Sequence, residues 1–146
     1  MKRLGILLLM VCSFGVIACE SVPAGTSTPI PTPTPISIEV VDTVGNILEL
    51  YESNEIAAEA MYTDKWADIT GQVEEIESKG ERIEINLKEI EEWFALTTVV
   101  CKIPEEHTQS VMNLRKDDVV TVRGKILGVP GFSNVVVEPC VVLSQR

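Results

Sequence analysis

The chain has 146 residues, 45% of them apolar, and carries 22 Asp and Glu against 12 Lys and Arg, a formal charge of −10 at pH 7. That length supports one ordinary domain around one core. A field of this sign repels phosphate backbones, which nucleic-acid binders hold with lysine and arginine, so nucleic acid is not expected as a partner.

The apolar share is inflated by the N-terminus. Met1-Lys2-Arg3 is a positive start, and Leu4 to Ala18 contains no charge. This run is shorter than the roughly 20 residues that a membrane-spanning helix needs, and it reads as a secretory signal segment. Setting it aside with Lys2 and Arg3 leaves 10 basic residues against 22 acidic ones, −12 in all. The segment ends in Val16-Ile17-Ala18-Cys19, which resembles the bacterial lipobox. The resemblance implies a lipoprotein signal peptide over 1–18, cleavage between Ala18 and Cys19, and a diacylglycerol on the Cys19 thiol. The chain would then sit in a cell membrane or outer membrane, lipid-anchored and extracytoplasmic. Each buried methylene contributes about 0.8 kcal/mol, so two or more acyl chains hold firmly where one is marginal. The competing reading makes Cys19 the last residue of an ordinary signal segment. Glu20, where some inner-membrane lipoproteins carry aspartate, leaves the choice of membrane open.

From Ser21 to Ser37 the composition shifts to five prolines and four threonines. No core can form from it, and alternating Pro and Thr favours extended polyproline II at about 3.1 Å per residue. With Cys19 at its start, the stretch 19–45 is expected to be a lipidated tether reaching roughly 50 Å, leaving 46–146 as the folded domain. O-linked sugar on the threonines is a further reading that composition leaves open.

Within the domain, Ile38 to Val44 is short and apolar. From Asn46 to Tyr62, Ile47, Leu50, Tyr51, Ala57, Ala58, Met61 and Tyr62 recur near helical spacing, with Glu49, Glu52, Glu55 and Glu59 opposite them. One amphipathic helix is predicted, with Asn46 as its N-cap. The period then changes to two. Trp66 to Ile76 reads as a long strand with a bulge or bend at Gly71, and Arg82 to Leu87 completes a hairpin across Ser78-Lys79-Gly80-Glu81. A third strand is predicted over Ala95 to Ile103, a short helix over Glu105 to Leu114, and two more strands over Val119 to Leu127 and Asn134 to Leu143. Gly128 to Gly131 is the turn between those last two.

Five strands with a helix between the third and fourth, behind a leading amphipathic helix, match the order of an OB-fold barrel, a mainly β class. Tyr51, Asn54, Ala58 and Tyr62 resemble the tRNA_anti-like OB-fold family of exported and membrane-linked bacterial proteins. The likeness extends through Asp68-Ile69-Thr70-Gly71-Gln72-Val73, Cys101, Leu114-Arg115-Lys116-Asp117, Thr121-Val122-Arg123-Gly124 and Cys140. The family name records kinship to anticodon-binding barrels and implies the fold, without establishing RNA as ligand.

Cys101 and Cys140 fall on the third and fifth predicted strands, which are neighbours in such a barrel, so an exported protein can join them in a disulfide. Two buried free thiols, or a redox pair, are the alternatives. His107 follows Glu105 and Glu106, whose adjacent spacing does not converge with it on a metal, and Glu89 to Glu92 lacks the pattern of a calcium loop. No catalytic, metal or cofactor site is expected. Trp93 and Phe94, with Trp66 and Phe132, are candidate aromatic platforms on the OB ligand face, or plugs for one end of the barrel. The favoured function is a non-catalytic binding module for a protein or envelope component. Nucleic-acid or oligosaccharide binding through the OB face is the alternative, and a redox or metal-dependent enzyme the third reading.

Overall fold

In the computed structural model, residues 35–90, 97–130 and 134–146 are described. Cys19, Trp93, Phe94 and Phe132 lie outside them. The elements run β1 (Val40–Thr43), α1 (Val44–Ser53), α2 (Glu55–Tyr62), β2 (Trp66–Lys79), β3 (Arg82–Lys88), β4 (Val99–Pro104), a 3-10 helix (Glu105–Val111), β5 (Val119–Gly128) and β6 (Val135–Gln145).

Strand order is β1-β2-β3-β4-β6-β5, and an additional β2–β5 pairing closes β2 to β6 into a five-stranded barrel. The length of β2 makes closure feasible: its first half, Trp66 to Gln72, pairs with β5, while Gln72 to Lys79 pairs with β3. Apolar side chains alternate into the lumen, where Ile69, Val73, Ile85, Leu87, Ile103, Val122 and Ile126 are fully buried. Each contributes about 1.5–3 kcal/mol by leaving water.

The bulge lies elsewhere than Gly71. Register jumps between Val73 and Glu75, so Glu74 is the extra residue. Gly71 instead sits beside the handover from β5 to β3, under α1. A Cβ there would overlap the Val44 side chain and lie 3.1 Å from the Lys88 carbonyl.

The leading helix is two helices. Asn54 ends α1, its N–H donating to the Leu50 carbonyl at 2.8 Å, and starts α2, its Oδ1 accepting from Ala57 N at 3.1 Å. A short amide side chain that competes for backbone N–H groups breaks a helix at the point where it caps the next. The break changes the buried set. Val44, Ile47, Leu48, Tyr51, Ala58 and Tyr62 face the core, whereas Met61, expected inside, is exposed. Nor is Asn46 the N-cap: α1 starts at Val44, and Thr43 Oγ1 accepts from Asn46 N at 3.3 Å.

Strand β1 runs parallel to β2, pairing Val40 with Ala67 and Thr43 with Thr70. Asp42 ties it to both helices. Its carboxylate accepts from Asn46 Nδ2 at 2.7 Å and from the Tyr62 hydroxyl at 2.8 Å, and Tyr62 stacks on Tyr51 with ring centroids 6.2 Å apart.

Candidate binding face on the barrel

The outward face of the barrel over β3 and β4 is set by register. Across it run three rows: Lys79, Arg82 and Pro104; Glu77, Glu84 and Lys102; Glu75, Asn86, Val100 and Val136. Opposite charges therefore meet along and across strands. Lys79 Nζ lies 2.8 Å from Glu77, Arg82 Nε 3.3 Å from Glu84, Lys102 Nζ 3.2 Å from Glu138, and Arg82 reaches Glu138 at 3.9 Å. The hydrogen bond to Glu77, then that carboxylate's charge, raises the Lys79 pKa above its ordinary value. Exposed pairs of this kind contribute little to stability. Their consequence is for recognition, because these three cations already contact carboxylates.

One end of this face is split. Among the described residues, the parallel ladder between β4 and β6 has three pairs, Val99 with Val135, Val100 with Val136 and Cys101 with Val137. Beyond it β6 carries Glu138 and Pro139. Proline offers no N–H to continue the ladder, and β6 passes on to pair with β5 through Cys140 and Val141. Close approach to β5 is possible because Gly124 faces the crossing: a Cβ there would lie 2.6 Å from the Pro139 carbonyl and 3.2 Å from Cys140 Cα. Cys101 and Cys140 are joined by a disulfide at the base of the split, with Cα atoms 5.6 Å apart. Both are buried, and a thiol-exchange partner needs access to one sulfur, which weighs against the redox reading.

The split opens into a groove of about 540 Å³, walled by Lys102, Pro104, Glu138 and Pro139. The β2–β3 hairpin tip closes one side with Lys79, Glu81 and Arg82, and the 3-10 helix adds Glu105 and Glu106. The side chains of Glu81, Glu105 and Glu106 make no hydrogen bond or ion pair among the described residues. The strand predicted over Asn134 to Leu143 is thus broken on its β4 side. The Glu-Pro pair in its apolar run was the signal for the split.

The other expected candidates separate. His107 is exposed on the 3-10 helix, and among the described residues no three His, Cys, Asp or Glu side chains are grouped to hold a metal. Trp66 is half-buried at the start of β2, on the opposite side of the barrel. The motif residues Asp68-Ile69-Thr70-Gly71 and Thr121-Val122-Arg123-Gly124 come together as neighbouring rungs of β2 and β5. There Arg123 binds Asp68 through two hydrogen bonds of 2.7 and 2.8 Å, and Thr70 meets Thr121 at 3.0 Å.

A closed five-stranded barrel with helices at its N-terminal side and a helical turn between its third and fourth strands defines an OB-fold. The chain matches the tRNA_anti-like family over residues 2–141 and belongs to it. No curated protein matches the chain. Among solved structures it is similar to a proposed nucleic acid-binding lipoprotein from Klebsiella pneumoniae subsp. pneumoniae, at 16% identity and TM-score 0.60, covering 70% of this chain and 91% of that one. It is more distantly similar to the S. pombe Stn1–Ten1 complex, at 13% identity and TM-score 0.40, covering 53% and 57%. An OBody bound to hen egg-white lysozyme gives 15% identity and TM-score 0.42, covering 60% and 92%. At these identities the likenesses speak to the fold alone. No helix among the described residues is long and apolar enough to cross a membrane.

Proposed function

We propose that this chain is a lipid-anchored extracytoplasmic module, tethered through Cys19 and its Pro/Thr-rich linker, whose OB face docks a protein or another envelope component without catalysing a reaction. The observation that carries this reading is the spending of charge on that face. Lys79, Arg82 and Lys102 each contact a carboxylate, so a phosphate backbone would have to displace Glu77, Glu84 and Glu138 before gaining its usual counterion-release benefit. Protein surfaces tolerate such alternation and use it to set register and partner choice. The lipobox-like Val16-Ile17-Ala18-Cys19 and the net −12 of the remaining chain support the address.

Nucleic-acid binding is the second reading, offered by the name of the Klebsiella neighbour. A mobility-shift assay with single-stranded DNA and RNA at low salt decides between them. The docking reading expects no complex at micromolar protein. A complex that dissolves with rising salt and weakens in R82Q or K102Q would replace it with the nucleic-acid reading.

A further inference from the structure

We infer that the groove in the β4–β6 split receives a lysine or arginine side chain from an extended segment of a partner protein, an inference that rests on the docking reading above. The ladder ends after Cys101 and Val137, leaving a cavity of about 540 Å³, within the range of sites that hold a ligand group. A partner strand cannot simply add to the open edge, because Pro104 and Pro139 stand there without N–H groups. Recognition therefore falls to side chains. The two proline rings provide an apolar wall of the kind along which a long aliphatic stem packs while its charged head stays wet.

The carboxylates that line the groove come from separate elements. Glu81 belongs to the hairpin tip, and Glu105 and Glu106 to the 3-10 helix. These three carboxylates are unpaired among the described residues, whereas the groove's cations Lys79, Arg82 and Lys102 are matched by Glu77, Glu84 and Glu138. Among the described residues, a cationic side chain therefore finds three unpaired carboxylates, while an anionic one finds the groove's cations occupied. Lysine and arginine combine a positive head with the apolar stem that the walls accommodate.

The test uses the full chain, purified in detergent from membranes, and NMR titration with short extended peptides identical except for one central residue: Arg, Lys, Met or Glu. The Arg and Lys peptides should give saturable shifts at the amides of Glu81, Lys102 and Glu105, and the Met and Glu peptides none. E81Q/E105Q/E106Q should weaken binding about tenfold, the summed effect of losing three exposed charge contacts. The charge-matched variant E49Q/E52Q/E59Q, on the exposed side of α1 and α2, should leave affinity within about twofold, as expected for distant sites. Equal weakening in both variants, equal binding of the Met peptide, or no saturable shift at the groove would overturn the inference. A photo-crosslinking residue at Thr108, beside the groove, or at exposed Leu143 separates it from the wider reading. Protein crosslinks at Leu143 with none at Thr108 would overturn the groove alone. Nucleic-acid crosslinks at either position would overturn both, and a crosslinked protein segment at Thr108 carrying Lys or Arg supports both.

Discussion

Two seams of this barrel, β2–β5 and β4–β6, are closed in different ways. Between β2 and β5 the ladder runs over seven pairs, from Trp66 with Lys125 to Gln72 with Val119. Its outward polar side chains answer one another: Asp68 holds Arg123, and Thr70 meets Thr121. Between β4 and β6 the ladder has three pairs and then parts at Glu138 and Pro139, with a disulfide at the parting. Where backbone hydrogen bonds suffice, the side chains only trim the surface. Where they run out, a covalent bond replaces them and the wall opens into a groove.

On that contrast, the largest effect belongs to the disulfide. It closes a loop of 39 residues, and in the chain-entropy model a loop of that size stabilises by about 4 kcal/mol. C101A/C140A should therefore lower the melting temperature by roughly 20 °C for a domain of this size, with exchange protection lost first along β4 and β6. Equal loss along β2 and β5 would erase the distinction between the seams.

At the closed seam, D68N and R123Q are each expected to cost several-fold less than loss of the disulfide, because partly exposed ion pairs contribute little. The double variant should cost no more than the worse single, the signature of one shared interaction in a double-mutant cycle. Denaturant midpoints would show this. A cost equal to the disulfide's would mean that the β2–β5 ladder depends on the pair.

The smallest effect lies off both seams, at the cap formed by Asp42 and Tyr62. Burial, and then the hydrogen bond to Asp42, pushes the Tyr62 pKa up to about 12. Burial opposes ionisation of Asp42, but hydrogen bonds from Asn46, Tyr62 and the Thr43 N–H together hold its pKa below the ordinary value. For Tyr62 the folded state keeps its proton after the unfolded chain has lost it. The stabilisation is therefore complete below pH 10 and is lost as pH rises from 10 towards 12. In an ultraviolet titration the component removed by Y62F should have its midpoint near 12; a midpoint near 10 would mean that the cap is open.

Much of the barrel was legible in the sequence because alternation at period two marks strands whose one face is buried. The five strands, the hairpin at Ser78 to Glu81 and the helical turn after Pro104 are all visible in that pattern. The break at Asn54 was harder to read, since the flanking apolar spacing continues through it and only the side chain's caps reveal it. The role of Gly71 was misread for a related reason: a glycine records the close approach of Val44, which lies 27 positions away in sequence and shows only in three dimensions. The groove was least legible. Its carboxylates and cations are scattered over Lys79 to Arg82, Lys102 to Glu106 and Glu138 to Pro139, and only the parting of β6 from β4 gathers them.

The most direct test of a tethered, disulfide-closed module is the intact mass of the protein from the membrane fraction of its native host, with and without reduction before alkylation. The expected mass is that of Cys19 to Arg146 plus acyl groups, with two thiols that alkylate only after reduction. An unlipidated mass, or thiols that alkylate without reduction, would contradict it.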